Sequence, residues 1–150
     1  MSTTTNSLTR DADALYDAAT AFIRVYQFRN RDSALAFGLT VAQAYTLDLL
    51  VASRGETLTA LATALRLDKS TTSRIVSGMT ERGLVDWSRA ENDRRAKAIV
   101  ATKEGRRRYR RLRRALVRDN ERLLSAYAAA ERRAFVRLLW QLAERGKQSA

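Results

Sequence analysis

The chain has no cysteine, no histidine and no proline among its 150 residues. The first two absences exclude disulfides, thiolate nucleophiles, imidazole acid–base catalysis and the usual zinc sites. The absence of proline favours a mostly helical chain, because no residue of this type interrupts a helix interior. The sequence also lacks a nucleophile elbow, a phosphate-binding loop and a glycine-rich dinucleotide motif. We therefore predict that the protein is not an enzyme and has no catalytic residues, no metal site and no cofactor.

Long apolar runs are also missing. The first ten residues, MSTTTNSLTR, are polar and lack the apolar centre of a signal peptide. No apolar stretch approaches the roughly 20 residues that cross a bilayer. Hydrophobic residues still make up 45% of the chain, which is enough for the core of one globular domain. These features predict a cytoplasmic protein without a membrane partner.

Apolar residues spaced three and four apart predict a mainly α-helical fold. The first amphipathic helix covers residues 8–30, the seven residues before it are predicted to be a frayed tail, and a link leads to Gly38. Thr40 and Gln43 form a capping box that begins a second helix, with Gly55 as its left-handed terminus.

Residues 57–102 are the most informative stretch. Thr57 and Asp68 each cap a helix, and only three residues separate the two helices. Strands at 84–89 and 95–101 follow, joined by a short polar turn. Two helices followed by a basic hairpin predict a winged helix-turn-helix, a shape that fits the grooves of duplex DNA.

The second helix of this pair, residues 69–82, has the composition of a recognition helix. Its first two turns carry short hydroxyl side chains and one long arginine, which suit base edges and phosphates in a major groove. Serine and threonine are common at any helix start, so it is the hairpin behind the helix that favours DNA binding over a structural role. The predicted contacts are Lys69, Ser70, Thr71, Thr72 and Arg74.

The hairpin adds a second set of basic side chains. An arginine at the tip of such a wing can enter the minor groove, where the negative potential of DNA is strongest. Phosphate would repel Asp93, so we interpret Asp93 as the residue that holds Arg95 in position. The predicted wing residues are Arg89, Asp93, Arg94 and Arg95, and a solvated turn without function is the alternative.

These motifs resemble those of the MarR (multiple antibiotic resistance regulator) family of winged-helix transcriptional regulators. The resemblance covers residues 8–145. Its most specific parts are Leu39-Thr40, Leu61-Ala62, Asp68 to Arg74, Glu81 to Val85, Asp93 to Arg95, Thr102 and Glu104-Gly105. Asp93 and Arg95 match the family's Asp-x-Arg wing signature. The proline that is frequent in the family's wing turn is absent, and Ala101 replaces the leucine that usually precedes the threonine.

The resemblance implies a homodimer in which the first, fifth and sixth helices interlock. It also implies a repressor released by a small aromatic or anionic ligand bound between the dimer helices and the winged core. We predict Phe22, Tyr26 and Tyr45 as ligand contacts, with core packing as their alternative role. The missing cysteine and histidine exclude the family's peroxide sensors and histidine-rich metal sensors.

Positive charge is concentrated at the C-terminal end of the chain. The net charge is +12, and residues 103–150 carry fifteen basic and five acidic groups. Such an excess favours a polyanionic partner, with nucleic acid before membrane. Residues 106–114 include seven arginines at spacings that destabilise a helix unless other groups neutralise them.

Acidic groups elsewhere in the chain can supply part of that neutralisation. Glu104 is close enough along the helix to pair with Arg107 or Arg108. We expect aspartates of the first helix to pair with the later arginines, and phosphate to take the earlier ones. The aspartates are Asp11, Asp13 and Asp17, the later arginines are Arg113 and Arg114, and the earlier ones are Arg106 and Arg107.

Together these observations predict one intertwined domain. Residues 1–39 are the tail and dimerisation helix, 40–102 the winged helix-turn-helix, and 103–150 the C-terminal dimerisation helices. The predicted function is a nucleoid-associated, dimeric repressor of a pseudo-palindromic operator in double-stranded DNA. The alternative is an architectural protein that coats DNA by charge, with weak sequence preference.

Overall fold

The computed structural model describes the backbone of residues 2–90 and 93–148 and the side chains of residues 7–88 and 97–146. In this part of the chain, six helices accompany one two-stranded antiparallel sheet, so the predicted mainly α winged-helix fold is confirmed. The elements are α1 (Ser2–Ala36), α2 (Val41–Ser53), α3 (Leu58–Leu65), α4 (Lys69–Glu81), β1 (Val85–Ala90), β2 (Asp93–Ala101), α5 (Lys103–Leu124) and α6 (Ala129–Gln148). Two compact units can be distinguished, Met1–Arg113 and Arg114–Ala150.

The first helix is longer than the sequence indicated. The predicted tail and most of the predicted link are helical, and α1 ends only at Ala36. No residue between 31 and 36 breaks a helix, and burial of Ala34 holds the last turn against the core. The helix stops before Gly38, which has a positive φ of 68°.

The capping box of α2 is confirmed. The Gln43 amide N–H donates to Thr40 Oγ1 at 3.2 Å, and the Thr40 amide N–H donates to Gln43 Oε1 at 3.1 Å. The predicted terminus is wrong, because the left-handed residue after α2 is Arg54. Gly55 has φ 144°, and a Cβ there would lie 3.0 Å from Val100 Cγ1, so this glycine permits a close approach to β2.

The core lies between α2, α3, α4, the sheet and the start of α5. Its largest fully buried apolar side chains are Leu39, Leu47, Leu50, Leu61, Val76, Met79, Leu84, Val85, Ile99 and Leu112. Val85 faces the core, whereas Trp87 on the same strand is 43% exposed. Glu56 and Ile99 form a further isolated bridge, which the sequence did not indicate.

One turn fixes α5 against the end of the sheet. The Thr102 hydroxyl donates to the Gly83 carbonyl at 2.7 Å and accepts from the Gly105 amide at 3.0 Å. Gly105 is buried, and a Cβ there would lie 2.0 Å from the Leu84 carbonyl oxygen. The helix can therefore approach the backbone at Leu84 only because residue 105 has no side chain.

Two polar contacts also join the elements of the winged core. The Tyr109 hydroxyl on α5 donates to Asp48 on α2. Burial, followed by this hydrogen bond, raises the pKa of Tyr109 to about 12. Arg82, after α4, donates to Gln43 Oε1 at 3.0 Å and to the Gly38 carbonyl.

No single helix in the described chain is both long and apolar enough to cross a membrane. The segments Ser7–Ala36 and Val41–Ser53, bent by 82°, pass that test of length and composition only when taken as a pair.

Replacing Gly105 with alanine is expected to destabilise the fold. The new Cβ would displace the Leu84 backbone, and overpacking of this kind costs about 1–3 kcal/mol or more in the free energy of unfolding. The measurement is urea unfolding at one fixed protein concentration. Gly78→Ala on α4 is the matched control, because a Cβ there meets nothing within 4 Å and should be neutral or stabilising. Equal losses in both variants would contradict the close-approach explanation.

Candidate nucleic-acid interface

Helix α4 has one buried side and one exposed side. Thr72, Val76 and Met79 are buried against the core. On the opposite side Ser70, Arg74 and Ser77 are exposed, and Lys69 is exposed at the start of the helix. This division follows from the helical period, which places residues three, four and seven apart on one face. The helix therefore presents a polar and cationic strip to solvent.

The first turn of α4 is organised around Asp68. Its Oδ1 accepts from the Thr71 amide at 2.8 Å and from Ser70 Oγ at 2.6 Å, and its Oδ2 accepts from Thr71 Oγ1 at 2.6 Å. These hydrogen bonds, with that of the Ser70 hydroxyl as the largest cause, hold the pKa of Asp68 well below its usual range. The N-cap predicted from the sequence is confirmed, and the carboxylate is ionised near neutral pH.

Thr72 was predicted to contact DNA, and this assignment is wrong. The residue is fully buried, and its hydroxyl donates to the Asp68 carbonyl at 2.9 Å. Position 72 lies on the same face as Val76, so the helical period directs Thr72 into the core.

Ser77 is the exposed residue that the sequence analysis missed. It follows Ser70 by seven residues and Arg74 by three, so helical periodicity places all three on one face. Within the described side chains, Arg74 makes no ion pair. Its guanidinium group therefore remains available to an external acceptor.

The wing begins and ends close to the predicted boundaries. Val85 pairs with Ala101 and Arg89 with Lys97, and the register is irregular between Arg89 and Ala90. Lys97 is exposed. The side chains of Arg89, Asp93, Arg94 and Arg95 lie outside the described residues, so the orienting role of Asp93 stays a prediction.

Glu104 neutralises two arginines at the start of α5, as its position predicted. Its carboxylate oxygens lie 2.5 Å from Arg107 Nη2 and 3.1 Å from Arg108 Nη2. The hydrogen bond from Arg108 is the main cause that lowers the pKa of Glu104. Arg111 lies over the Phe37 ring, 5.8 Å from its centroid, and Phe37 and these charged residues line a cavity of about 320 Å³.

The predicted pairing of first-helix aspartates with the later arginines is not seen. Among the described side chains, the ion pairs are Arg31–Asp32, Arg107–Glu104, Arg108–Glu104 and Arg122–Asp119. None involves Asp11, Asp13 or Asp17, which are exposed on α1. Within a single chain, the arginine run is relieved by Glu104 at its start and by the Phe37 ring instead.

Of the three predicted ligand contacts, Tyr45 lines a cavity that Phe22 and Tyr26 do not line. Phe22 and Tyr26 stack on each other along α1, with ring centroids 5.2 Å apart. Tyr45 instead lines a cavity of about 310 Å³ together with Phe28 and Arg31. Among the described residues, no three acidic side chains are grouped as metal ligands would be.

A recognition helix with an exposed polar face, followed by a two-stranded wing and packed on a three-helix core, defines a winged helix-turn-helix protein. The MarR family model matches residues 37–96, from the end of α1 into β2. This match confirms the resemblance predicted from the motifs, and over residues 37–96 the chain is similar to the MarR family. No curated protein matches the chain.

Solved structures extend the likeness beyond the winged region. A MarR family protein from Bacillus stearothermophilus superposes with a TM-score of 0.85 at 23% identity, over 93% of this chain and 97% of its own. RV1404 from Mycobacterium tuberculosis superposes with a TM-score of 0.77 at 28% identity, over 91% of this chain and 94% of its own. The PcaV transcriptional regulator from Streptomyces coelicolor, solved with its natural ligand, superposes with a TM-score of 0.64 at 29% identity. The superposition covers 87% of this chain and 94% of PcaV.

Proposed function

We propose that the protein is a dimeric transcriptional repressor that places α4 of each protomer in a major groove of a pseudo-palindromic operator. The observation that carries this proposal is the exposed strip of α4 beside the wing. In this proposal, the contacts on α4 are Lys69, Ser70, Thr71, Arg74 and Ser77. Those on the wing are Arg89, Arg94 and Arg95, with Asp93 orienting Arg95.

Unpartnered apolar surface supports a dimer. On α1, Val25 is 58% exposed and Phe28 53%, and on α6, Trp140 is 66% exposed and Leu138 52%. Monomers rarely leave this much apolar surface in contact with water. A second copy of the chain would cover it with an isologous interface, which assigns residues 1–39 and 103–150 to dimerisation.

The operator is tested by selecting bound duplexes from a random pool at fixed salt, together with sedimentation of the free protein. We expect a dimer at micromolar concentration and an imperfect palindrome whose half-sites lie roughly 34–36 Å apart. A monomer, or a selected site without a dyad, would contradict the proposal. A pool recovered with no sequence preference would favour the charge-driven architectural protein.

Arg74→Ala is expected to relax base preference at one position in each half-site. The cost is about 1–3 kcal/mol of binding free energy if the guanidinium makes a bidentate contact with guanine. The measurement is affinity for the selected operator and for variants of each base pair. Arg74→Lys is the matched control, because it keeps the charge and loses the planar fork. A loss that is equal for every sequence would assign Arg74 to phosphate.

We also propose that a small aromatic carboxylate releases the protein from DNA by binding the cavity beside Tyr45. The cavity has the aromatic rings of Phe28 and Tyr45 and the guanidinium of Arg31, which suit an aromatic ring and an anionic group. The likeness to PcaV, which was solved with its natural ligand, supports a ligand-responsive regulator.

Tyr45→Ala is expected to raise the carboxylate concentration needed for DNA release by roughly tenfold, since an aromatic contact with the ligand is lost. The measurement is release of labelled operator while benzoate derivatives are titrated. Phe22→Ala is the matched control, because Phe22 lies outside this cavity. A response that changes with Phe22 and not with Tyr45 would move the site along α1.

A further inference from the structure

The hydroxyl groups of Ser70 and Thr71 both donate to one carboxylate. Ser70 Oγ lies 2.6 Å from Asp68 Oδ1, and Thr71 Oγ1 lies 2.6 Å from Asp68 Oδ2. An ionised carboxylate has lone pairs and no proton, so in each of these bonds the hydroxyl must be the donor. The direction of both hydrogen bonds is therefore determined by chemistry.

This arrangement decides what the first turn of α4 offers to a ligand. A hydroxyl group has a single proton, and here that proton points back to Asp68. Ser70 is exposed and Thr71 partly exposed, so the lone pairs of their oxygens face solvent. The Thr71 amide also donates to Asp68, at 2.8 Å, and is not free for an external acceptor. At these positions, the first turn is a surface of hydrogen-bond acceptors.

We propose that Asp68 sets the base preference of the recognition helix by holding Ser70 and Thr71 as acceptors. The inference rests on the proposed function, in which α4 enters a major groove. Donors on base edges in that groove are adenine N6 and cytosine N4, whereas guanine O6 and N7 and thymine O4 are acceptors. The bases that Ser70 and Thr71 face are therefore adenine or cytosine on the contacted strand.

The same arrangement argues against a phosphate role for the Ser70 and Thr71 hydroxyls. Phosphate oxygens are acceptors, and the hydroxyls of Ser70 and Thr71 already donate their single protons to Asp68. The Asp68 carboxylate adds a negative charge at the place where a helix N-terminus would otherwise attract phosphate. Ser70 and Thr71 therefore belong to base readout, and phosphate contacts fall to basic residues elsewhere.

Arg74 complements this acceptor surface. The guanidinium group carries only donors, which match guanine O6 and N7. Arg74 follows Ser70 by four residues, which is about 6 Å along the helix axis, or roughly two base-pair steps. Each half-site should thus pair an adenine or cytosine, read by the first turn, with a guanine about two steps away.

The test compares duplexes selected from a random pool by the wild-type chain and by four single variants. Ser70→Ala and Thr71→Val remove each hydroxyl and so mark the base positions that the first turn faces. Asp68→Asn keeps an N-cap of similar strength, but its amide N–H₂ donates to a hydroxyl and frees that hydroxyl's proton. Ser53→Ala is the control, because Ser53 is an exposed serine at the end of α2, outside the proposed DNA contacts. Thermal unfolding of each variant verifies that it is folded.

We expect the wild-type chain to prefer adenine or cytosine at the marked positions by about fivefold, the effect of one neutral hydrogen bond. Asp68→Asn should admit guanine or thymine at the position marked by Thr71→Val, because the cap oxygen still accepts from the Thr71 amide and from Ser70, while the guanine read by Arg74 is unchanged. Ser53→Ala should leave the marked positions unaltered.

Guanine or thymine at the marked positions of the wild-type site would overturn this inference and leave the proposed function standing. An Asp68→Asn profile identical to that of the wild type would have the same consequence. If Ser70→Ala and Thr71→Val mark no position, the base-readout role fails while the repressor proposal stands. A wild-type chain that selects no sequence would overturn the inference together with the proposed function.

Discussion

The close approach of α5 to the Leu84 backbone is the constraint on which the rest of the winged core depends. Gly105 permits it, and the Thr102 hydroxyl secures it from the other side by its bond to the Gly83 carbonyl. Leu84 lies between α4 and β1, so this one junction determines where the recognition helix ends and where the wing begins. Tyr109, one turn further along α5, then reaches Asp48 on α2. A single residue without a side chain thus positions both α4 and the wing against the same core.

Features that depend on neighbouring residues could be predicted from the sequence, and features that depend on packing could not. The Thr40 and Asp68 caps and the Glu104 ion pairs involve partners within four residues, so composition and spacing were sufficient. The burial of Thr72 depends on which side of α4 meets the core, and its hydroxyl character suggested the opposite side. The true end of α1 likewise depends on the burial of Ala34, which no local pattern indicates.

The predicted site residues show the same difference between local features and features that depend on packing. The exposed strip of α4 could be predicted because helix periodicity is a local property, although Ser77 was overlooked. The three aromatic residues were grouped by their chemistry, and the structure separates Tyr45 from the stacked pair on α1. The aspartates of α1 were matched to the arginine run by charge and by the family's packing of the first helix on the long one, whereas Arg107 and Arg108 use Glu104, which is nearer along the chain.

The hydrogen bonds of Arg82 connect three helices of the fold. Its guanidinium binds the side chain that caps α2 and the carbonyl of Gly38 in the turn between α1 and α2, while its backbone caps α4. Arg82 therefore links the C-terminal end of α4 to the turn between α1 and α2. A displacement of that turn must either carry Arg82 with it or break both hydrogen bonds. Arg82 thus connects the C-terminal end of α4 to the turn at the end of α1 through two hydrogen bonds.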